Sequence, residues 1–125
     1  MAAAGQRGGF VTTYAVNKFC WRVVHEQPLR LALHADPEAT LRAVVPPLDE
    51  EELQALLRGD VGWLSRRGCN NFMLHNLGRF EVLGLDLATH GARMREEYRA
   101  EREIWKQTGD WPDATAPGVA RGAAT

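Results

Sequence analysis

The stretch YAVNKFCWRVV, residues 14–24, contains the strongest structural signal in the chain. Its apolar side chains recur with the spacing i, i+3, i+4, i+7 and i+8, which places them on one helix face: Val16, Phe19, Cys20, Val23 and Val24. The pattern predicts an amphipathic helix over about residues 13–27. Thr12 or Thr13 is the expected N-cap, because a hydroxyl there can accept a hydrogen bond from a first-turn amide.

Two short helices are predicted after Pro28 from their start signals. Asp36-Pro37-Glu38 combines a capping side chain, a proline and an acid in the order that a first turn favours. Asp49 and Glu52 have the spacing of a capping box, and Gly59 suits the end of that helix. The side chains expected to face the core are Leu41, Val44, Val45, Leu53, Leu56 and Leu57. A further short apolar segment is made of Leu29, Leu31 and Leu33.

The second half of the chain indicates a brief turn capped by Asp60 and then two longer helices. One is predicted over residues 70–83, with Gly84 as its C-cap. Its expected buried face is Phe72, Met73, Leu77, Phe80 and Leu83. The other runs from residue 89 or 90 to residue 106 or 107 and is charged over most of its surface. Two favourable ion pairs are predicted within it: Arg93–Glu97 and Arg99–Glu103.

These elements predict an all-α fold, a compact orthogonal bundle of about five to six short helices with a protruding charged C-terminal helix. No stretch alternates with the period of two that a strand requires. We expect a flexible N-terminus at 1–11, a helical domain at 12–90, the charged helix at 91–111 and a disordered tail at 112–125.

Composition excludes several classes of function. The net charge is −1 and the sequence pI is about 6.4, which lacks the basic footprint of a nucleic-acid-binding domain. No apolar run approaches the ~18 residues that a membrane helix needs. The first residues lack the apolar core of a secretion signal, so we expect a soluble, cytoplasmic protein.

No catalytic or metal-binding set is predicted. Cys20 and Cys69 stand in apolar or helix-forming surroundings and are expected to be reduced core residues, which leaves a Cys69–His75 nucleophile pair without support. The four histidines are expected to be solvent-exposed or hydrogen-bonded: His25, His34, His75 and His90. An iron site that combined His34, His75 and a carboxylate has no supporting spacing.

The polar group on the helix over residues 70–83 allows two interpretations. Asparagine has a low helix propensity, so Asn70, Asn71 and Asn76 indicate caps or specific contacts. Either Asn70 caps the helix and the other polar residues meet water, or this face meets another chain or lines a pocket together with His75.

Several motifs along the chain resemble the small (alpha) subunit of protocatechuate 4,5-dioxygenase and its relatives, which are type II extradiol ring-cleaving enzymes. The resemblance covers about residues 14–87, and the C-terminal helix with Trp105 and Trp111 departs from the family pattern. The motifs that carry it are Tyr14-Ala15-Val16-Asn17-Lys18-Phe19, Leu48-Asp49-Glu50-Glu51-Glu52, Leu56-Leu57-Arg58-Gly59-Asp60, and Gly68-Cys69-Asn70 followed by Phe72 and Leu74.

The resemblance implies a non-catalytic small subunit. A large partner subunit would hold Fe(II) and act on a catecholic substrate, and this chain would hold no cofactor but would help to shape or cover the shared pocket. The residues expected at the pocket or subunit contact are Asn70, Phe72, Met73, His75, Asn76, Tyr14 and Asn17. The alternative is a stand-alone helical interaction module without a redox role, which would use the charged C-terminal helix to bind a partner helix.

Overall fold

The computed structural model describes residues 13–111, and every regular element within that range is an α-helix. The predicted all-α fold is therefore confirmed. The expectations for residues 1–11 and 112–125 concern segments outside the described residues. Eight helices are described rather than five to six, and in chain order they are α1 (Tyr14–His25), α2 (Gln27–Ala35), α3 (Pro37–Ala43), α4 (Glu50–Arg58), α5 (Val61–Arg66), α6 (Asn71–Arg79), α7 (Leu87–Glu97) and α8 (Arg99–Thr108).

Helix α1 forms the centre of the core through the apolar stripe that its sequence predicts. It packs against α6 and, at its other end, against α2. The side chains that α1 buries are Val16, Phe19, Cys20 and Val23, and α6 contributes Leu74 and Leu77. Burying each of these larger apolar side chains stabilises the fold by about 1.5–3 kcal/mol. Within residues 13–111, no helix combines the length and apolarity needed to cross a membrane.

Side-chain caps begin most of the helices. Asp36 accepts a hydrogen bond from the amide of Ala39, and Asp60 accepts one from the amide of Trp63, both at 3.1 Å. The capping box is confirmed, since Glu52 N donates to Asp49 Oδ1 at 2.8 Å and Asp49 N donates to Glu52 Oε1 at 3.0 Å. These bonds satisfy amides that have no partner inside the helix, which explains why the predicted start signals succeed.

The apolar segment after Pro28 is a complete helix, which adds α2 to the predicted set. Pro28 occupies its first turn, where a missing amide proton costs nothing. Leu29 and Leu33 are buried at helical spacing, whereas Leu31 is 61% exposed. The expectation that Val45 faces inward is wrong, because α3 ends at Ala43 and the extended chain beyond it leaves Val45 72% exposed.

The helix predicted over residues 70–83 is shorter than expected, and it buries different side chains from those predicted. It ends at Arg79, and Glu81 and Leu83 adopt positive φ angles in the loop that follows. Phe72 is 68% exposed, while Leu74 is fully buried. Because α6 packs against both α1 and α7, its core stripe lies between these neighbours and leaves Phe72 outside.

The predicted C-terminal helix is divided at Tyr98, and neither predicted ion pair within it forms as expected. Tyr98 shares a hydrogen bond of 2.8 Å with Ser65 Oγ, and the Arg66 guanidinium stacks on its ring. Arg93 instead donates to the carbonyls of Arg58 and Gly59. Arg93 and Glu97 therefore make contacts across the fold instead of pairing with each other, whereas Arg99 and Glu103 pair with other residues close to them in sequence. Glu97 pairs with Arg66, Arg99 with Glu96, and Glu103 with Lys106.

Two glycines allow α7 to lie close to the bundle. A Cβ atom at Gly62 in α5 would come within 2.6 Å of the Glu97 Cβ atom. A Cβ atom at Gly78 in α6 would lie 2.8 Å from the Asp86 carbonyl oxygen and 3.2 Å from the His90 Cβ atom. Both distances are shorter than ordinary contacts, so α7 can hold this position only if these residues lack side chains.

We predict that Gly62→Ala destabilises the protein by about 1–3 kcal/mol, because α7 must move away from α5. The matched control is Gly91→Ala within α7, where the new methyl group would meet only the flexible end of Arg95 at 3.1 Å. That control should be neutral or stabilising by up to about 1 kcal/mol, since alanine is the better helix former. Urea unfolding of both variants measures the effect, and equal free energies of unfolding for both would contradict the close packing of α7.

Candidate functional site

A chain of side-chain hydrogen bonds joins the beginning of α1 to the beginning of α6. Asn17 Nδ2 donates to Thr13 Oγ1 at 3.2 Å, and the amide of Asn70 donates to Asn17 Oδ1 at 3.1 Å. Asn70 Oδ1 in turn accepts from the amide of Met73 at 3.1 Å and caps α6. Thr13 stands at the N-cap of α1, but its side chain makes no capping bond there. Asn17 and Asn70 are thus scaffold residues that hold two helix ends together.

Two aromatic side chains emerge at these adjoining ends. Tyr14, the first residue of α1, is 60% exposed, and Phe72, in the first turn of α6, is 68% exposed. His75 follows Phe72 by one helical turn and is also exposed. We call the surface formed by Tyr14, Phe72 and His75 the α1–α6 face. Because aromatic side chains contribute strongly at protein interfaces, these two exposed residues are the candidates for a contact with a partner.

Two of the other predicted site residues lie inside rather than on this face. Met73 is partly buried and packs against the core. Asn76 is only 6% exposed, and its Oδ1 accepts a hydrogen bond from Arg79 at 3.4 Å. The predicted set therefore divides into an exposed group, a scaffold pair and two inward-facing residues.

His90 contradicts the expectation that every histidine is exposed or hydrogen-bonded. It is 7% exposed, and its Nδ1 is buried without a hydrogen-bond partner among the described residues. Its ring meets that of His75 edge-on, with centroids 5.6 Å apart. Asn71 Oδ1 is also buried, and it too has no hydrogen-bond partner among residues 13–111. The sequence indicated a specific role for Asn71, because asparagine disfavours helices. Nothing in the sequence indicated that His90 would be buried.

The two cysteines are poorly placed for nucleophilic catalysis. Cys20 and Cys69 are both buried and free, as expected for core residues. Burial, together with nearby carboxylates such as Glu52, raises the pKa of Cys69 to about 12, so this thiol stays protonated at neutral pH. Within residues 13–111, no three His, Cys, Asp or Glu side chains converge as metal ligands. These residues do not fit the two-histidine, one-carboxylate set that an iron oxygenase requires.

The basic residues beside Trp63 are held in internal ion pairs. Arg66 Nη2 lies 2.7 Å from a Glu101 carboxylate oxygen, and Arg67 Nη2 lies 2.6 Å from Asp49 Oδ2. The Arg67 guanidinium also stacks on the Trp63 ring, 5.0 Å from its centroid. Because these cations are already paired, this cluster offers little charge to a phosphate backbone.

An open surface depression of about 750 Å³ lies away from the α1–α6 face, between α7 and the junction of α4 and α5. Its charges are mixed, and Arg58 and Asp60 on its wall are paired with each other at 3.2 Å. None of the predicted site residues lines it. The depression therefore does not identify a site for a small molecule.

The described residues define a class of all-helical protein that exposes aromatic side chains at the ends of two packed helices and assembles no cluster of three metal ligands. The family model described as "Aromatic-ring-opening dioxygenase LigAB, LigA subunit" matches residues 16–103. The chain belongs to this family, which confirms the resemblance seen in its motifs and extends it through α7 into α8. No curated protein and no solved structure matches the chain.

We predict that His90 makes the protein less stable as the pH falls. Burial, and then repulsion from His75, lowers the pKa of His90 below its ordinary value of 6.5. Just below that pH, His90 is protonated in the unfolded chain but stays neutral in the folded chain. The free energy of unfolding therefore decreases as the pH falls from about 6.5 towards the lower pKa of the folded state, and the contribution is complete above about 6.5.

The variant His90→Phe keeps the ring contact with His75 and removes the titrating group. In the presence of a chelator, its free energy of unfolding should vary less than that of the wild type between about pH 7.5 and about pH 5.5. Carboxylates titrate equally in both proteins, so they cancel in the comparison. Identical pH profiles would show that His90 does not titrate as described.

Proposed function

We propose that this chain is the non-catalytic small subunit of an extradiol, aromatic-ring-opening dioxygenase, and that it packs on an iron-bearing large subunit through the α1–α6 face. The observation that carries the proposal is the exposure of Tyr14 and Phe72 on helix ends fixed by the Asn17–Asn70 bond. Membership of a family described as a subunit supports the need for a companion chain.

Energetic considerations favour this face as the contact. Aromatic side chains contribute strongly to binding when they enter a pocket on a partner, because they bury a large area at a small entropic cost. The ends of α1 and α6 are already ordered by the core and by three side-chain hydrogen bonds. Little conformational freedom would therefore be lost when the two subunits associate.

In this proposal, Fe(II) and the catecholic ring belong to the large subunit. The described residues of the small subunit hold no suitable ligand set, so its contribution would be to shape or cover the pocket. Covering an active site excludes water and holds the substrate in register. Phe72 and His75 are both exposed on α6 and are the residues that we expect to face such a pocket.

We predict that Phe72→Ala and Tyr14→Ala each weaken binding to the large subunit encoded in the same genome by about tenfold, a typical loss for a central aromatic residue. Leu31→Ala is the matched control, because Leu31 is an apolar residue of similar exposure on α2 (61%). Isothermal titration calorimetry with purified subunits provides the dissociation constants. Unchanged affinity in the Phe72 and Tyr14 variants, or an equal loss with Leu31→Ala, would count against the α1–α6 face.

Helix α8 supports a second candidate, a helical interaction module. None of its residues is buried, and Ile104 is 58% exposed. The ring of Trp105 contacts those of Tyr98 and Trp111, with centroids 6.1 and 5.6 Å apart. Trp105 and Trp111 also lie beyond residue 103, where the family match ends.

Truncation after Tyr98 separates the two candidates. This cut removes α8 and leaves α7 in place on α5 and α6. If the α1–α6 face is the subunit contact, the truncated protein should bind the large subunit with an affinity close to that of the full chain. Loss of binding on truncation, with Phe72→Ala binding normally, would favour the interaction module instead.

A further inference from the structure

Two imidazole rings meet where α6 lies against α7. The ring of His75 stands at 90° to the ring of His90, with their centroids 5.6 Å apart. His75 lies at the exposed edge of this contact, whereas His90 is 7% exposed. The helices are close here because Gly78 leaves no side chain between α6 and the Asp86 carbonyl. Two separate helices thus hold the pair of rings together.

The separation of the rings is that of an edge-to-face contact, and it also allows both imidazoles to bind one metal ion. A zinc-bound imidazole nitrogen lies about 2.0–2.1 Å from the metal. Since the ring centroid lies about 1.2 Å beyond that nitrogen, two imidazoles on a tetrahedral ion have centroids about 5 Å apart. A slightly wider angle at the metal reaches the observed 5.6 Å.

One nitrogen of the buried His90 ring lacks a hydrogen-bond partner. Nδ1 of His90 is shielded from solvent and makes no hydrogen bond to any residue within 13–111. A buried polar atom without a partner is uncommon and costs stability, so its presence calls for a physical explanation. A neutral imidazole is the form that coordinates metal ions, and burial favours that form of His90.

We propose that His75 and His90 form a two-histidine site for one divalent ion of the nickel, copper and zinc group. Imidazole nitrogen is a preferred ligand of these ions. No third His, Cys, Asp or Glu joins the pair among the described residues, so water would supply the remaining ligands from the exposed His75 side. The site lacks the carboxylate of an Fe(II) oxygenase centre, and Fe²⁺ binds such ligands less tightly than the later ions do. Both ligands come from this chain, and although His75 also belongs to the α1–α6 face, the isolated chain is sufficient to test the site.

The test titrates Zn²⁺ into the chelator-treated, full-length wild type near neutral pH. Calorimetry should give one Zn²⁺ per chain, and saturation should raise the thermal midpoint, because the ion joins α6 to α7 only in the folded state. His75→Ala should weaken binding by at least about tenfold, since it removes one of two ligands. His34→Ala removes an exposed histidine on α2 and should bind Zn²⁺ as the wild type does.

His90→Phe provides an independent check. Its helical circular dichroism reports folding, and the folded variant should lose Zn²⁺ binding as His75→Ala does. The proposal fails if the wild type binds no Zn²⁺, or if either single variant binds with wild-type affinity. It also fails if His34→Ala weakens binding as much as His75→Ala.

Discussion

The packing of α1 against α6 is the contact on which the rest of the structure depends. It buries Val16 and Phe19 of α1 together with Leu74 and Leu77 of α6. The hydrogen bond from the Asn70 amide to the Asn17 side chain then fixes how the two helix ends meet. Apolar burial supplies most of the free energy, but it has no direction. The directional bond determines where the exposed aromatic residues emerge from the bundle.

A second level of order comes from the way α7 is held against α5 and α6. Glycines at positions 62 and 78 permit the close approach, and Arg66 joins α5 to the carboxylates of Glu97 and Glu101. This arrangement brings His90 against His75 and sets the direction in which α8 leaves the bundle. The same few contacts therefore position His90 against His75, which belongs to the α1–α6 face, and also the C-terminal helix, which does not.

Local sequence signals predicted much of this fold, because caps and apolar periodicity act over a few residues. The stripe of α1 and the capping box at Asp49 and Glu52 were predicted correctly for that reason. Phe72 was misplaced because its exposure depends on which neighbours flank α6, and periodicity does not encode them. His90 was missed for the same reason, since its burial arises from a close approach of α6 and α7. At the candidate site, the residue types could be predicted, but not which of them would serve as scaffold and which as surface.

The most direct test of the central claim is an assay of aromatic ring opening with separately purified subunits. We predict that this chain alone opens no catecholic ring when Fe²⁺ is supplied, and that adding it to the iron-loaded large subunit from the same genome raises the rate of ring opening. Ring opening by this chain alone, in proportion to iron that it retains, would contradict a division of labour in which the chemistry takes place on the companion subunit.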